Sequence, residues 1–155
     1  MIDENDRILL IKQYRHPIRS REWEIPAGLC DVSGESALDT AKRELAEEVE
    51  LQAENWWGLS DYVATPGGND EVVRIFLARG LTQTTQSFER HHEEADLQLC
   101  WISLDEAFDA ALARRVHNPA LLIAIFAAHA SRERHWETLA PAQDPWPDYD
   151  RVHAE

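Results

Sequence analysis

Three glutamates, Glu44, Glu47 and Glu48, crowd the run Arg43-Glu44-Leu45-Ala46-Glu47-Glu48-Val49. Around them Ala37, Ala41, Leu45 and Val49 recur every fourth residue, with Leu38 beside them. That period predicts an amphipathic helix of about four turns opening at Ser36. On such a helix Glu44 and Glu48 stand one turn apart and Glu47 lies three residues after Glu44, so the three carboxylates share one edge. Like charges at these spacings destabilise an isolated helix. A divalent cation relieves them directly, because Mg²⁺ and Mn²⁺ prefer carboxylate oxygens. A solvated acidic face is the alternative reading of the same three residues. Glu35, eight residues before Arg43, is placed to pair with it and to hold the preceding loop against the acidic edge.

The elements that must position this edge follow from turn chemistry and period. Asp3-Glu4-Asn5-Asp6 is a turn cluster, and Arg7–Ile11 is a short apolar run that reads as a buried strand. A turn at the extreme N-terminus implies a preceding strand, which this sequence does not contain; four disordered residues leading into the first strand are the other reading. Glu22–Pro26 alternates polar and apolar and predicts a strand stopped by Pro26-Ala27-Gly28. Strands are expected again over Trp57–Val63 and Glu71–Ala78, around the turn-rich Thr65–Asp70. Residues 82–96 predict a long loop, and Leu97–Ile102 another strand. Ser103-Leu104-Asp105-Glu106 opens a helix, and Asn118-Pro119 caps and starts the last one. Arg74, in mid-strand among apolar residues, should be paired with Asp70 or Glu71 and serve as structural support. Of the six tryptophans, Trp23 is the one singled out for stacking on a nucleobase.

The pattern predicts one domain of mixed α and β structure over residues 1–139. After it, residues 140–155, with Pro141, Pro145 and Pro147, form an extended tail. With 29 acidic against 15 basic residues the net charge is −14, which opposes binding to nucleic acid or to an anionic membrane. Phosphates remain accessible ligands if divalent ions bridge them to the protein. Two well-separated cysteines, Cys30 and Cys100, suit a reducing cytosol. With no basic leader and no apolar stretch long enough to span a bilayer, the expectation is a soluble, cytoplasmic protein.

Read outward from the acidic edge, the chain runs Gly28, six residues, Glu35, seven residues, then Arg43-Glu44-Leu45-Ala46-Glu47-Glu48-Val49-Glu50-Leu51. This resembles the Nudix box: Gly, five residues, Glu, seven residues, then Arg-Glu-apolar-x-Glu-Glu-x-Gly-apolar. It departs by one extra loop residue after Gly28 and by Glu50, which stands where the pattern has the glycine that ends the helix in a left-handed turn. The helix is therefore expected to run on or to end in another geometry. Beyond the box, Tyr14-Arg15-His16-Pro17, Glu24-Ile25-Pro26-Ala27-Gly28, Pro66, Asp70–Ala78 and Trp101–Glu106 look like the ADP-ribose pyrophosphatase branch of that superfamily.

The resemblance implies a Nudix-type α/β/α sandwich with a mixed sheet, lacking the branch's N-terminal strand segment. It implies Mg²⁺-dependent hydrolysis of the diphosphate of ADP-ribose to AMP and ribose 5-phosphate by water attack at phosphorus, with Mn²⁺ as a substitute metal. Alternatives are another nucleotide sugar or nucleoside diphosphate conjugate as substrate, or a non-catalytic nucleotide-sensing module. Glu44 and Glu48 would be the principal metal ligands, with Glu47 secondary and the Ala27 carbonyl assisting. A general base would come from the long loop, Glu93 ahead of Glu94. Arg19, Arg21 and Glu22 would meet the phosphate or the terminal ribose. Gly28, Glu35 and Arg43 would support the site. The branch also implies a homodimer, built in part by the N-terminal strands that this sequence does not contain.

Overall fold

A computed structural model describes residues 1–85 and 97–154. Its elements run in chain order: β1 (Arg7–Arg15), a 3-10 turn (His16–Ile18), β2 (Ser20–Glu24), α1 (Ala37–Val49), β3 (Leu51–Val63), β4 (Val72–Gln83), β5 (Gln98–Ser103), α2 (Leu104–Leu112), α3 (Pro119–Arg132), β6 (Ala140–Pro141) and α4 (Pro147–Val152). Two three-stranded sheets form, in the orders β2-β1-β5 and β4-β3-β6. Where a mixed sheet was expected, every strand pairing among the described residues is antiparallel. Short hairpin and loop connections join the neighbours β1–β2 and β3–β4, which favours antiparallel pairing.

β1 is the shared middle layer, buried on both faces. Its alternating side chains separate cleanly: Ile8 and Leu10 join Leu104 and Ala107 of α2 and Leu121 and Ile125 of α3. Leu9 and Ile11 join Leu45 and Val49 of α1 on the other face. A strand's period of two thus sets one helix on one side and two on the other, the helix–sheet–helix layering that the resemblance implies. The α+β class is as read from the pattern.

The helix ends follow their capping residues. Ser36 accepts from Asp39 N at 3.1 Å to open α1. Ser103 and Glu106 form a reciprocal capping box on α2, and Asn118 Oδ1 accepts from Leu121 N at 2.9 Å ahead of Pro119. α1 ends at Glu50, which itself adopts the left-handed conformation, φ 57°, ψ 33°, while its N–H reaches Ala46 O. The helix therefore neither runs on nor ends in a different geometry: β3 begins at the next residue, and only a left-handed turn reverses the chain that sharply.

At the N-terminus the expected turn is present and the disordered alternative falls; at the C-terminus one expectation is corrected. Residues 1–6 are an ordered turn: Asp3 Oδ1 accepts from Asn5 N and Arg7 N, and Ile2, buried at 1% exposure, bridges Ile8. The proline-rich segment after residue 139 is not simply extended. Ala140 and Pro141 pair with Gly58 and Trp57, Ala142 is buried, and α4 follows.

Candidate active site

The loop after β2 and the inner edge of α1 meet at one place. Glu24, last in β2, is buried and clamped by Arg15, whose Nε and Nη2 donate to it at 2.8 and 2.6 Å. Pro26 then ends the strand, and Ala27 N donates to Glu48 Oε2 at 3.1 Å. Glu48 is only 4% exposed, so this acid lies beneath the loop and away from bulk water. Gly28 presses on the neighbouring acid: a Cβ built there would fall 2.0 Å from Glu44 Cδ. Only a residue without a side chain lets the backbone approach Glu44 so closely, and that explains the glycine at this position.

Arg43 organises the carboxylates. Its Nε and Nη2 donate to Glu35 at 3.1 and 3.0 Å, and its Nη1 reaches Glu44 at 2.6 Å and Glu47 at 3.2 Å. One guanidinium thus offsets the repulsion between Glu44 and Glu47, part of the compensation the helical spacing alone assigned to a metal, while Glu48 accepts from Ala27 N. The hydrogen bond from Arg43 holds the Glu35 carboxyl below its ordinary range, with Thr40 Oγ1 adding a second donor at 2.9 Å. Reciprocally, Glu35 first and then Glu44 hold Arg43 charged beyond its ordinary range. The Glu35–Arg43 pair expected from their spacing is therefore present, and it ties the loop end to the helix.

A cleft of roughly 370 Å³ opens beside this edge. Ala27, Gly28 and Glu44 form one wall, and Arg74 and Phe76 of β4 contribute to another. Trp146, Tyr149 and His153, from the C-terminal segment, also line it. Arg74 pairs with Asp61, its register partner across β3, at 2.7 and 2.9 Å, and not with Asp70 or Glu71. It also donates to Asp144 O and Pro145 O, so it fastens the C-terminal segment to the sheet. Trp23 stands elsewhere, with Lys12 over its ring and the main core behind it.

Arg19, Arg21 and Glu22 belong to the β1–β2 hairpin and are not among the residues that line the cleft. Arg19 is exposed in a left-handed conformation, and Glu22 lies 3.5 Å from His117. Glu93 and Glu94 lie outside the described residues. The aromatic residues of the C-terminal segment escaped the sequence reading. Their spacing of three and then four is a helical-face signal, hidden among prolines.

The donor chemistry of this edge suits a hard divalent cation: carboxylate oxygens on one helix edge, and a loop whose glycine admits Glu44 against the backbone. Among the described residues, no three His, Cys, Asp or Glu side chains stand together as a ready ligand set. Arg43 engages Glu44 and Glu47 instead. No helix among the described residues is long and apolar enough to cross a membrane.

The chain is similar to known proteins. The chain is 44% identical over 129 residues to an ADP-ribose pyrophosphatase of Mycobacterium tuberculosis (strain ATCC 25618 / H37Rv), covering 83% of this chain and 62% of the relative. It is 31% identical over 124 residues to a methanol dehydrogenase activator of Bacillus methanolicus, covering 80% and 66%. It therefore spans less than two thirds of the length of these curated relatives. Its fold matches the crystal structure of an ADP compounds hydrolase with a TM-score of 0.74 at 22% identity, over 86% of this chain and 71% of that one. Residues 1–122, which contain the loop, the acidic helix and both sheets' long strands, match the NUDIX domain, and the chain belongs to that family.

Proposed function

We propose that this protein is a pyrophosphohydrolase that cleaves the diphosphate of ADP-ribose, giving AMP and ribose 5-phosphate, with Mg²⁺ as its metal and Mn²⁺ as a substitute. The observation that carries the reading is the convergence of Gly28, Glu44 and Glu48 beside an open cleft. The 44% identity to a relative named for this activity supports the choice of substrate.

Glu44 and Glu48 are the residues to hold the metal, with Glu47 and the Ala27 carbonyl as further oxygen donors. When bound, the metal neutralises the diphosphate and makes water a better nucleophile. The chain's own residues do the rest. Arg43 keeps Glu44 and Glu47 gathered on one edge, and Glu35 keeps Arg43 in place. Gly28 lets the loop close over the acids, and the bond from Ala27 N holds Glu48 in one orientation. Glu93, or Glu94 beside it, takes the proton as water adds to phosphorus and the bridging P–O bond breaks. Arg19, Arg21 and Glu22 are proposed to reach the phosphate or terminal ribose from the neighbouring hairpin. A homodimer and a cytosolic site of action belong to the same proposal.

A relative 30% identical over 131 residues is named as hydrolysing a CMP-linked phosphonate, which supports other nucleotide conjugates as a second reading. A panel of nucleoside diphosphate sugars set against ADP-ribose, with AMP release measured in Mg²⁺, separates the two. Inert ADP-ribose beside a cleaved conjugate removes the first. Glu48→Gln is expected to lower kcat by about 100-fold or more, since it deletes a charge that acts on the transition state. Turnover equal to wild type in that variant refutes the hydrolytic role of the acidic edge.

A further inference from the structure

The cleft has an aromatic wall that the acidic edge does not explain. Arg74 lies over the Trp146 ring, 5.1 Å from its centroid. Trp146 stacks on Tyr149 at 4.9 Å and 22°, and Tyr149 stacks on His153 at 4.0 Å and 23°. These four flat groups form one continuous ladder. Its inner end is fixed, because Arg74 is locked by Asp61 and by the carbonyls of Asp144 and Pro145. Its outer end is exposed: His153 is the last ring, solvent-accessible, and oriented by an Nδ1 contact of 2.9 Å to Tyr149 O. All three aromatic rings line the same cleft as Gly28 and Glu44.

Structural packing alone leaves this arrangement unexplained. The Trp146 indole nitrogen is buried without a hydrogen-bond partner, the one such side-chain atom found among the described residues. Buried polar groups in a packed interior are normally satisfied, and exceptions call for a reason. A row of parallel rings ending in an exposed one offers a flat face of the kind on which nucleobases stack.

We propose that this ladder is the base-binding subsite of the protein. A nucleobase extends the stack on the outer face of His153 while its phosphates lie toward Glu44. Under the reading given above, the base is that of the nucleoside diphosphate substrate, and the proposal rests on that reading for the identity of the full ligand. Arg74 is a positioning residue: it touches no ligand but sets where the stack begins. Aromatic stacking of a base tolerates any base, so the ladder provides affinity and placement, and leaves base selectivity to other groups.

The experiment is a calorimetric titration of AMP and of ribose 5-phosphate, both in Mg²⁺, into wild type, His153→Ala and His153→Phe. Because His153 is exposed, the alanine variant is expected to melt at the wild-type temperature. AMP affinity should fall about tenfold in His153→Ala and return in His153→Phe, with ribose 5-phosphate unaffected. KM for ADP-ribose should rise by a similar factor at unchanged kcat. Equal AMP affinity in all three proteins overturns the subsite, whatever the activity. Should wild type leave ADP-ribose intact while AMP binding follows the pattern above, the subsite stands and only the substrate assignment falls.

Discussion

Glu50 shows how a single residue can carry conformational cost for the sake of its neighbours. At φ 57° it occupies a region that glycine enters freely and other L-residues enter at about 1–2 kcal/mol. The chain accepts that cost because β3 starts at Leu51, and Glu50 O accepts from Thr84 N at 3.0 Å. Glu50→Gly is therefore expected to stabilise the protein by about 0.5–1 kcal/mol, the relief of the left-handed turn less the added freedom of the unfolded chain. Urea unfolding measures it, and a destabilised variant would place the strain elsewhere. Gly28 makes the opposite point. Its φ is ordinary, and what it supplies is space for Glu44.

At the scale of elements, α2 and α3 are joined outside the core by one acid. Asp105 accepts from Arg132 and lies 3.5 Å from His129 Nε2, with the His129 ring stacked 3.9 Å from Phe108. The hydrogen bond from Arg132 holds the Asp105 carboxyl below its ordinary range. A depressed carboxyl stabilises the fold above its unfolded pKa of about 4, and the contribution is lost as pH falls through the lower folded value. Thermal melts from pH 6 to pH 3 should therefore show wild type losing more stability below about pH 4 than Asp105→Asn. Parallel curves would mean that the link contributes nothing, as many exposed ion pairs do. The C-terminal segment is the other informative element. Arg74, placed in mid-strand by β4, converts a proline-rich stretch into a wall of the cleft through two carbonyl contacts.

Considered whole, the molecule is strongly acidic, and the proposed metal edge is one small part of that charge. Within a net charge of −14, Glu44 and Glu47 of α1 and Glu35 of the loop before it share one arginine. Adding Mg²⁺ or Mn²⁺ should raise the melting temperature of wild type, because a ligand that binds only the folded state stabilises it by mass action. That amounts to about 2.7 kcal/mol at a hundredfold excess over Kd. Glu48→Gln should lose most of the response, and differential scanning calorimetry reads both. An equal response in the two proteins would mean that the cation binds elsewhere.

The acidic helix, its Ser36 cap, the Glu35–Arg43 pair and the mixture of α and β elements were legible in the sequence. Each depends on local spacing: a four-residue apolar period, a charge two turns away, a capping side chain three residues from its target. Strand existence was legible too, though β3 begins six residues earlier than its apolar pattern, because pairing with β4 extends a strand beyond what its own residues demand. What only the tertiary structure decided depends on residues far apart in the chain. Asp61 is chosen over Asp70 and Glu71 as the partner of Arg74 because cross-strand register, not sequence proximity, brings charges together. Trp146, Tyr149 and His153 reach the cleft because a guanidinium some seventy residues earlier captures the carbonyls before them. Local spacing writes a helix and its charged edge; which distant segment faces that edge is settled by packing, where single contacts across the fold outweigh the weak preferences of a short proline-rich segment.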